Sequence, residues 1–487
     1  MQDISIGAKT SEIASVRKSI LIKVLVPLLI GIVIAIVPPP AGLSPRAWHF
    51  FSLFSAVVVG LVVEPIPAAG IGFIGVSFAA VFMMVETTPD QSVAWALKGF
   101  SNSTVWLIFA AFMLALGYEK TGLGRRLGLL LVKLLGRNTL GLGYSIVFTD
   151  LILAPFMPSN TARSGGTIFP IIRNLPGLYG SEPGETARKI GSYIMWTALA
   201  GTCVTSSMFL TALAPNLLAL ELIRKTIHIE ISWTRWFIGF LPAGLILLAT
   251  LPVLIYKIYP PEIKSSLEVP KWAGEELKKM GEMSKKEILM AILAFLALVL
   301  WIFAQNTINP TTVALLVISL MLITGIVNWN DILSNKSAWN VLAWFATLVA
   351  LADGLATVGF TAWLGKGAAT LLGGISPVSV MVFMVAVFFV THYVFASTTA
   401  HATAMLPVFL SAGAAVPGMN IIMLALLLAY SLGIMGIITP YATGPSPVYF
   451  GSGFIPRKDF WLLGLVFGAI FLVVFLVLDI PFLFILD

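Results

Sequence analysis

Long apolar runs dominate the chain, at residues 20–37, 48–63, 66–85, 104–118, 236–256, 287–304, 311–327, 339–356 and 459–485. Each approaches or exceeds the roughly 20 apolar residues that a helix needs to cross a bilayer. The runs are continuous rather than alternating, which predicts helices and argues against a membrane β-barrel. Four further stretches, 138–175, 191–222, 376–416 and 420–450, are apolar but interrupted by Pro, Gly, Ser, Thr and Asn at what would be mid-membrane depth. Two segments depart in the polar direction. Residues 120–137 set Lys120, Arg125, Arg126, Lys133 and Arg137 on a Leu-rich frame, the pattern of a helix lying along the membrane surface. Residues 257–286 carry seven lysines alternating with glutamates and read as a soluble linker.

Composition turns this pattern into a class. Only 10% of the 487 residues are charged and 58% are apolar, against roughly 25% charged in a soluble protein. Mean hydropathy is +0.98. The chain is an all-α polytopic membrane protein with room for roughly ten to a dozen helices. The single cysteine, Cys203, excludes a disulfide framework and any Cys-based metal site. The histidines are His49, His228, His392 and His401, with no His-x-x-x-His pair, and no Gly-x-x-x-x-Gly-Lys loop is present, so an ATP-driven pump is excluded on this chain and no cofactor is implied. The net charge of +7 reads first as cytoplasmic Lys/Arg and only secondarily as a hint of an anionic substrate; no nucleic-acid partner is implied. Placing 120–137 and 257–286 in the cytoplasm requires a cytoplasmic N-terminus, four crossings before residue 120 and six before residue 257. The first 19 residues then form a polar cytoplasmic tail rather than a signal peptide, and an odd total near eleven puts the C-terminus outside.

The interrupted stretches come in two copies. Phe156-Met157-Pro158-Ser159-Asn160-Thr161-Ala162-Arg163 parallels Phe395-Ala396-Ser397-Thr398-Thr399-Ala400-His401, and one offset of 238 residues carries Ser159 to Ser397, Thr161 to Thr399 and Arg163 to His401. The same offset maps Trp106 onto Trp344 and Gly136 onto Gly374. Each copy is followed by an apolar segment broken at a proline: Thr211-Ala212-Leu213-Ala214-Pro215-Asn216 and Tyr441-Ala442-Thr443-Gly444-Pro445-Ser446. Irregular backbone survives at bilayer depth only inside protein or along a wet cavity. The pattern therefore predicts two re-entrant helical hairpins whose tips meet near the midplane and present free helix N-termini, which attract anions. Paired discontinuous helices point to the binding site of a secondary transporter, and the crossing number makes the repeat inverted.

These residues resemble a known family. Ser159-Asn160-Thr161 and Ser397-Thr398-Thr399 are similar to the paired Ser-Asn-Thr signatures of the divalent anion–sodium symporter superfamily, the INDY-type carboxylate transporters. Gly117 to Arg126, Ile231-Ser232-Trp233 and Thr439 to Pro445 are most similar to its bacterial citrate/succinate and tartrate/succinate antiporter branch. The resemblance covers nearly the whole chain. It implies eleven transmembrane helices plus two hairpins, a homodimer in the lipid of a bacterial inner membrane, and elevator-type movement of a transport domain against a scaffold. On that basis residues 1–103 are N-terminal scaffold helices, 104–222 the first transport repeat with the cytoplasmic hairpin, 223–256 a scaffold helix and 257–286 the cytoplasmic linker. Residues 287–338 are scaffold helices, 339–457 the second transport repeat with the extracellular hairpin, and 458–487 the C-terminal helix. The resemblance assigns Ser159, Asn160, Thr161, Ser397, Thr398 and Thr399 to the substrate carboxylates, adds Thr443, Gly444 and Pro445 at the second unwound helix, and places Ser206 and Ser207 near the first. It departs at Thr398, where the signature has Asn, and at Pro155 and Tyr393, where sodium-coupled members often carry a hydroxyl.

Arg163 and His401 lie four residues past each signature serine, about one helical turn in. A cation at bilayer depth costs at least ~2.5–3.5 kcal/mol and normally faces a cavity or a partner. The two are expected to stand where symporters hold sodium, making the chain a sodium-independent exchanger of di- and tricarboxylates. The competing reading has Arg163 snorkelling to the surface and His401 satisfying a backbone carbonyl. Asp150 is a possible partner of Arg163, Glu119 and Asp353 are expected in structural pairs, His392 is expected to be a satisfied core histidine, and His49 and His228 are expected at the membrane interface. A sodium-coupled symporter for the same anions is the alternative function; a channel or an intramembrane hydrolase lacks support, having no need of two cradles or no acid/base pair respectively.

Overall fold

A computed structural model describes residues 22–265, 267–304, 307–372 and 374–486. The expected polar tail of residues 1–19 lies outside the described residues. In chain order the helices are α1 (Ile22–Ile36), α2 (Pro45–Val63), α3 (Ala68–Val81), α4 (Pro89–Leu97), α5 (Ser103–Thr121), α6 (Leu123–Leu135) and α7 (Thr139–Leu153). A wide π-helical stretch, Thr161–Ile168, leads into α8 (Phe169–Ile172), followed by α9 (Gly191–Met208), α10 (Ala214–Ile227), α11 (Trp233–Ile258), α12 (Glu268–Met280), α13 (Lys285–Phe303) and α14 (Pro310–Ile323). The chain ends with α15 (Trp329–Ser334), α16 (Lys336–Thr357), α17 (Phe360–Leu372), α18 (Pro377–Thr391), α19 (Thr398–Ala414), α20 (Ile421–Ile434), α21 (Pro445–Gly451) and α22 (Arg457–Leu486). Extended pairing among the described residues is limited to one isolated bridge, Asn138 to Ser265. Eight helices among them are long and apolar enough to cross a membrane.

With few charges available, short polar side chains set the helix starts. Asn102, Asn138, Ser232, Asn309 and Asn420 each accept a backbone N–H of the following first turn, and Ser284 forms a reciprocal capping box with Glu287. Burial then follows the apolar periodicity. On α22 the residues Phe460, Leu463, Phe467, Phe471 and Phe475 face inward, while Leu462, Leu465, Val473 and Val477 face outward, as expected of a helix packed on protein on one side and lipid on the other. Two apolar cores result. The smaller joins α2, α3 and α4 to α16 through Phe50, Phe54, Val57, Trp95, Leu348 and Leu351; the larger holds the two interrupted repeats. The helix 223–256, grouped with the scaffold on sequence, runs as α11 and packs mainly on α9 and α22, inside the larger core.

The segment read as a plain linker contains α12, which presses Val269 and Ala273 onto α6. Arg125 pairs with Glu276 at 2.8 Å, Arg126 with Glu287 at 2.6 Å, and Lys120 with Asp331. The two basic segments therefore share one face of the molecule, as a common cytoplasmic side requires. Lys279, donating from one turn away, and then Arg125 hold the Glu276 carboxyl below its ordinary range. A depressed carboxyl stabilises the fold above its unfolded value and stops doing so as pH falls through the folded one. We expect amide hydrogen exchange across α12, corrected for intrinsic rates, to quicken between about pH 7 and about pH 3, and E276Q to flatten that rise. Equal protection of α12 at both pH values would show that the clamp does not depend on this carboxylate.

Candidate functional site

Both signatures sit at a helix–turn–helix tip, built alike. Ser159 Oγ accepts from Ala162 N (3.2 Å) and its carbonyl from Arg163 N (2.8 Å); Ser397 Oγ accepts from Ala400 N (3.4 Å) and its carbonyl from His401 N (3.0 Å). The two serines thus cap the second arm of each hairpin in the same way. The helical breaks are also built alike. Each incoming helix, α9 or α20, frays through a 3-10 turn, and a proline opens the outgoing α10 or α21. The residue after that proline reaches back ten positions to mend the fray: Asn216 Nδ2 donates to Ser206 O (2.7 Å), and Ser446 Oγ donates to Gly436 O (3.1 Å). Each tip is also tied to the break of its own half. Thr211 Oγ1 donates to Pro155 O (2.6 Å) and Tyr441 OH to Tyr393 O (3.0 Å), on carbonyls related by the 238-residue offset.

The first tip and the second break form a cradle. Asn160 Nδ2 donates to Thr443 Oγ1 at 2.8 Å. Gly444 approaches Thr161 so closely that a β-carbon there would lie 1.8 Å from the threonine hydroxyl. Thr161 and Gly444 are exposed, Ser159 is half-buried, and Asn160, Thr443 and Pro445 are buried. Beyond Thr161 the π-helical turn brings Gly165 and Gly166 to the same region without side chains, a widening common at functional sites. The cradle offers hydroxyls and an amide, groups that can donate to a carboxylate. Ser397 and Thr399 are half-buried and Thr398 is buried; α19, which they open, packs along α10. Ser206 and Ser207 are fully buried. Ser206 Oγ accepts from Arg163, whereas Ser207 Oγ donates to Tyr430 O and faces α20.

Arg163 does not snorkel: its side chain is wholly enclosed. Nε pairs with Asp150 Oδ1 (3.2 Å), Nη1 donates to Met157 O (2.8 Å) and Ala212 O (2.7 Å), and Nη2 donates to Thr202, Thr205 and Ser206 hydroxyls. One guanidinium, with all its donors taken by protein, joins both arms of the hairpin, the first break and α9. Thr205 also donates to Asp150. His401 makes no carbonyl contact through Nε2, which lies 3.2 Å from Thr391 Oγ1, and its ring stacks on Phe388, Phe395 and His392. His392 bonds Ala442 O at 2.8 Å through Nε2, and neither its Nδ1 nor that of His401 has a hydrogen-bond partner among the described residues. Asp353 pairs with Lys98 (3.2 Å) and Lys225 (2.9 Å), whereas Glu119 is exposed at the end of α5. Thr202, Thr205 and Asn216 complete the surroundings of the first break. The first two share a helical face with Ser206 at i, i+3, i+4 spacing, a hydroxyl stripe on an apolar helix that is visible in the sequence. Among the described residues no group of three or more His, Cys, Asp or Glu side chains is placed to hold a metal ion.

A cavity of about 860 Å³ opens on the face opposite α6 and α12. It lies between the N-termini of α5, α11 and α14, reaches Thr211 of the first break, and is rimmed by Lys98, Glu221, Arg224 and Lys225. Asn102 Nδ2 donates to Glu221 Oε1 there at 2.9 Å, tying α10 to the start of α5.

A family profile described as the sodium:sulfate symporter transmembrane region matches residues 18–486. The chain belongs to that family. This is the divalent anion–sodium symporter grouping that the two signatures resemble, and it makes the protein a multi-pass membrane transporter rather than an enzyme. Within the family the chain is 47% identical over 466 residues to an L-tartrate/succinate antiporter of Escherichia coli (strain K12), covering 93% of this chain and 96% of that one. It is 46% identical over 482 residues to a citrate/succinate antiporter of the same strain, covering 96% and 99%. Among solved structures it is similar in fold to the YdaH transporter of Alcanivorax borkumensis (TM-score 0.52, 17% identity, 83% of this chain and 87% of that one). A similar likeness holds for MtrF of Neisseria gonorrhoeae (TM-score 0.52, 15% identity, 87% and 96%). At those identities the likeness speaks for the all-helical transporter fold alone.

Proposed function

We propose that the chain exchanges di- and tricarboxylates across the bacterial inner membrane, without sodium, by elevator-type alternating access. Citrate, succinate, malate, tartrate and 2-oxoglutarate form the substrate class, each presenting two carboxylates a few ångströms apart. The printed activities of two relatives near 47% identity support antiport of such anions. The observation that carries the sodium-independent part is Arg163. Its guanidinium occupies the space between tip and break and donates to the carbonyls and hydroxyls that line it, so a transported cation would have to compete there with a built-in one. A carrier with a built-in cation gains nothing from a sodium gradient and has reason to return only when loaded. Ser159, Asn160, Thr161, Thr443, Gly444 and Pro445 bind one carboxylate of the substrate, and Ser397, Thr398 and Thr399 the other. Ser206 acts through Arg163, and Ser207 through the packing of α9 on α20.

In this reading the chain makes eleven crossings with both termini placed as the lysine pattern requires, and the α6–α12 face is cytoplasmic. The two hairpins re-enter the bilayer from opposite sides. The moving unit comprises the two hairpins, the broken pairs α9–α10 and α20–α21, and α11 and α22, which pack with them. The scaffold is α1–α5 with α13–α16, paired in a homodimer as the family resemblance implies. Glu221 and Lys225 on α10, bonded to Asn102 and Asp353, fasten the moving unit to the scaffold on the outer face.

The test is uptake of labelled succinate into proteoliposomes preloaded with unlabelled succinate, malate, 2-oxoglutarate or citrate, or left empty, each with and without sodium. We expect uptake that requires an internal carboxylate and ignores sodium. Uptake into empty vesicles on a sodium gradient would replace this reading by the symporter.

A further inference from the structure

The two halves are closed by different residues. At the first break the acceptor is Ala212, three positions before its proline, and Arg163 Nη1 holds that carbonyl at 2.7 Å. The same place in the second break, three positions before Pro445, is Ala442. The 238-residue offset puts His401 where Arg163 stands, yet His401 does not take the Ala442 carbonyl. His392 takes it, from the other arm of the hairpin, with Nε2 2.8 Å from the oxygen. A carbonyl only accepts, so Nε2 carries the hydrogen. Nδ1 of the same ring has no hydrogen-bond partner among the described residues, and the ring stacks on His401. A leucine or phenylalanine would fill the same volume but could not hold the carbonyl.

What the bond fixes is one residue from the cradle. Thr443, directly after Ala442, accepts the Asn160 amide, and Gly444 lies against the Thr161 hydroxyl. We propose that His392 is a positioning residue for the substrate site: from the second hairpin it sets the wall against which the first signature works, doing for the second break what Arg163 does for the first. This inference rests on the exchange reading for its kinetic consequence, though not for its structural one.

Two measurements separate these. In H392L the donor is lost and the volume kept; in H392Q an amide N–H is returned near the Nε2 position. Backbone hydrogen exchange of residues 441–446 is expected to quicken about tenfold in H392L and to stay near wild type in H392Q, while α6 and α12 are unchanged. In proteoliposomes that perform succinate self-exchange, H392L is expected to raise KM about tenfold with kcat within about twofold, and H392Q to recover most of the loss. N160A combined with H392L is expected to add little to the larger single effect, because both act through Thr443. Unchanged protection of 441–446 in H392L overturns the proposal whether or not the protein exchanges carboxylates. An equal loss of kcat in H392L and H392Q at constant KM also overturns it, as that marks a merely structural histidine. If wild-type vesicles exchange no carboxylate, the function proposed above fails, and the hydrogen-exchange result alone decides the role of His392.

Discussion

Replacing Arg163 by methionine is expected to abolish exchange and to destabilise the protein by about 3–5 kcal/mol, the range for removing one member of a buried ion pair. Methionine fills much of the volume but donates nothing, so Asp150 is left enclosed without its cation, with the Thr205 hydroxyl as its remaining donor among the described residues. The Met157 and Ala212 carbonyls lose their common donor at the same time, which weakens the hold of the first tip on the first break and leaves the Thr211 hydroxyl on Pro155 O to carry it. The double variant R163M/D150N separates the two effects. Neutralising Asp150 is expected to restore most of the thermal stability in detergent, while exchange in proteoliposomes stays absent because the guanidinium tie between tip and break is still missing. A single R163M variant with wild-type stability would mean that the guanidinium is not the partner that Asp150 depends on.

The second large effect is expected at Gly444. A β-carbon there would lie 1.8 Å from Thr161 Oγ1, 3.0 Å from its Cβ and 3.5 Å from its Cγ2. Rotating the threonine relieves the first contact and not the second, so G444A must push the first tip and the second break apart. We expect G444A to lower exchange by about a hundredfold, equivalent to about 2.7 kcal/mol at 1.36 kcal/mol per decade, within the range of overpacking penalties. Adding T161G removes both the hydroxyl and the β-carbon that clash. The double variant is expected to rise to the level of T161G alone, which still lacks one cradle donor. Wild-type exchange in G444A would show that substrate is held somewhere other than between Thr161 and Gly444.

Much of this arrangement is legible in the sequence because the bilayer imposes simple rules. The α11 and α22 runs announce themselves by length and apolarity, and the breaks by Pro215 and Pro445 following small and polar residues. The signatures, their offset and the symmetry of Ser159 with Ser397 are visible as text and reappear as matching caps. The helix α12 was hidden by its charges. Seven lysines among glutamates read as a solvated linker, although Val269, Trp272, Ala273 and Leu277 recur at helical spacing and mark the face that meets α6. Arg163 and Asp150 lie 13 residues apart and invite pairing; the closure of the cage by Thr202, Thr205 and Ser206 depends on how α9 docks, which no local pattern states. His392 is a core histidine as its apolar setting suggests, but its partner could not be read for the same reason: Ala442 lies 50 residues away in the chain and is brought near by the packing of the second tip on its own break. Symmetry in the sequence pointed to His401 instead, because an offset relates positions and not the reach of side chains.

The Arg163–Asp150 pair has one further consequence, an electrical one. Both charges belong to one hairpin and cancel within it, so in the elevator movement proposed above the pair would carry no net charge through the membrane field. For the exchange proposed above, voltage then acts on this core only through the difference between outgoing and incoming cargo. Two dianions changing places would be indifferent to the membrane potential, whereas a trianion traded for a dianion would feel about 2.3 kcal/mol for each 100 mV.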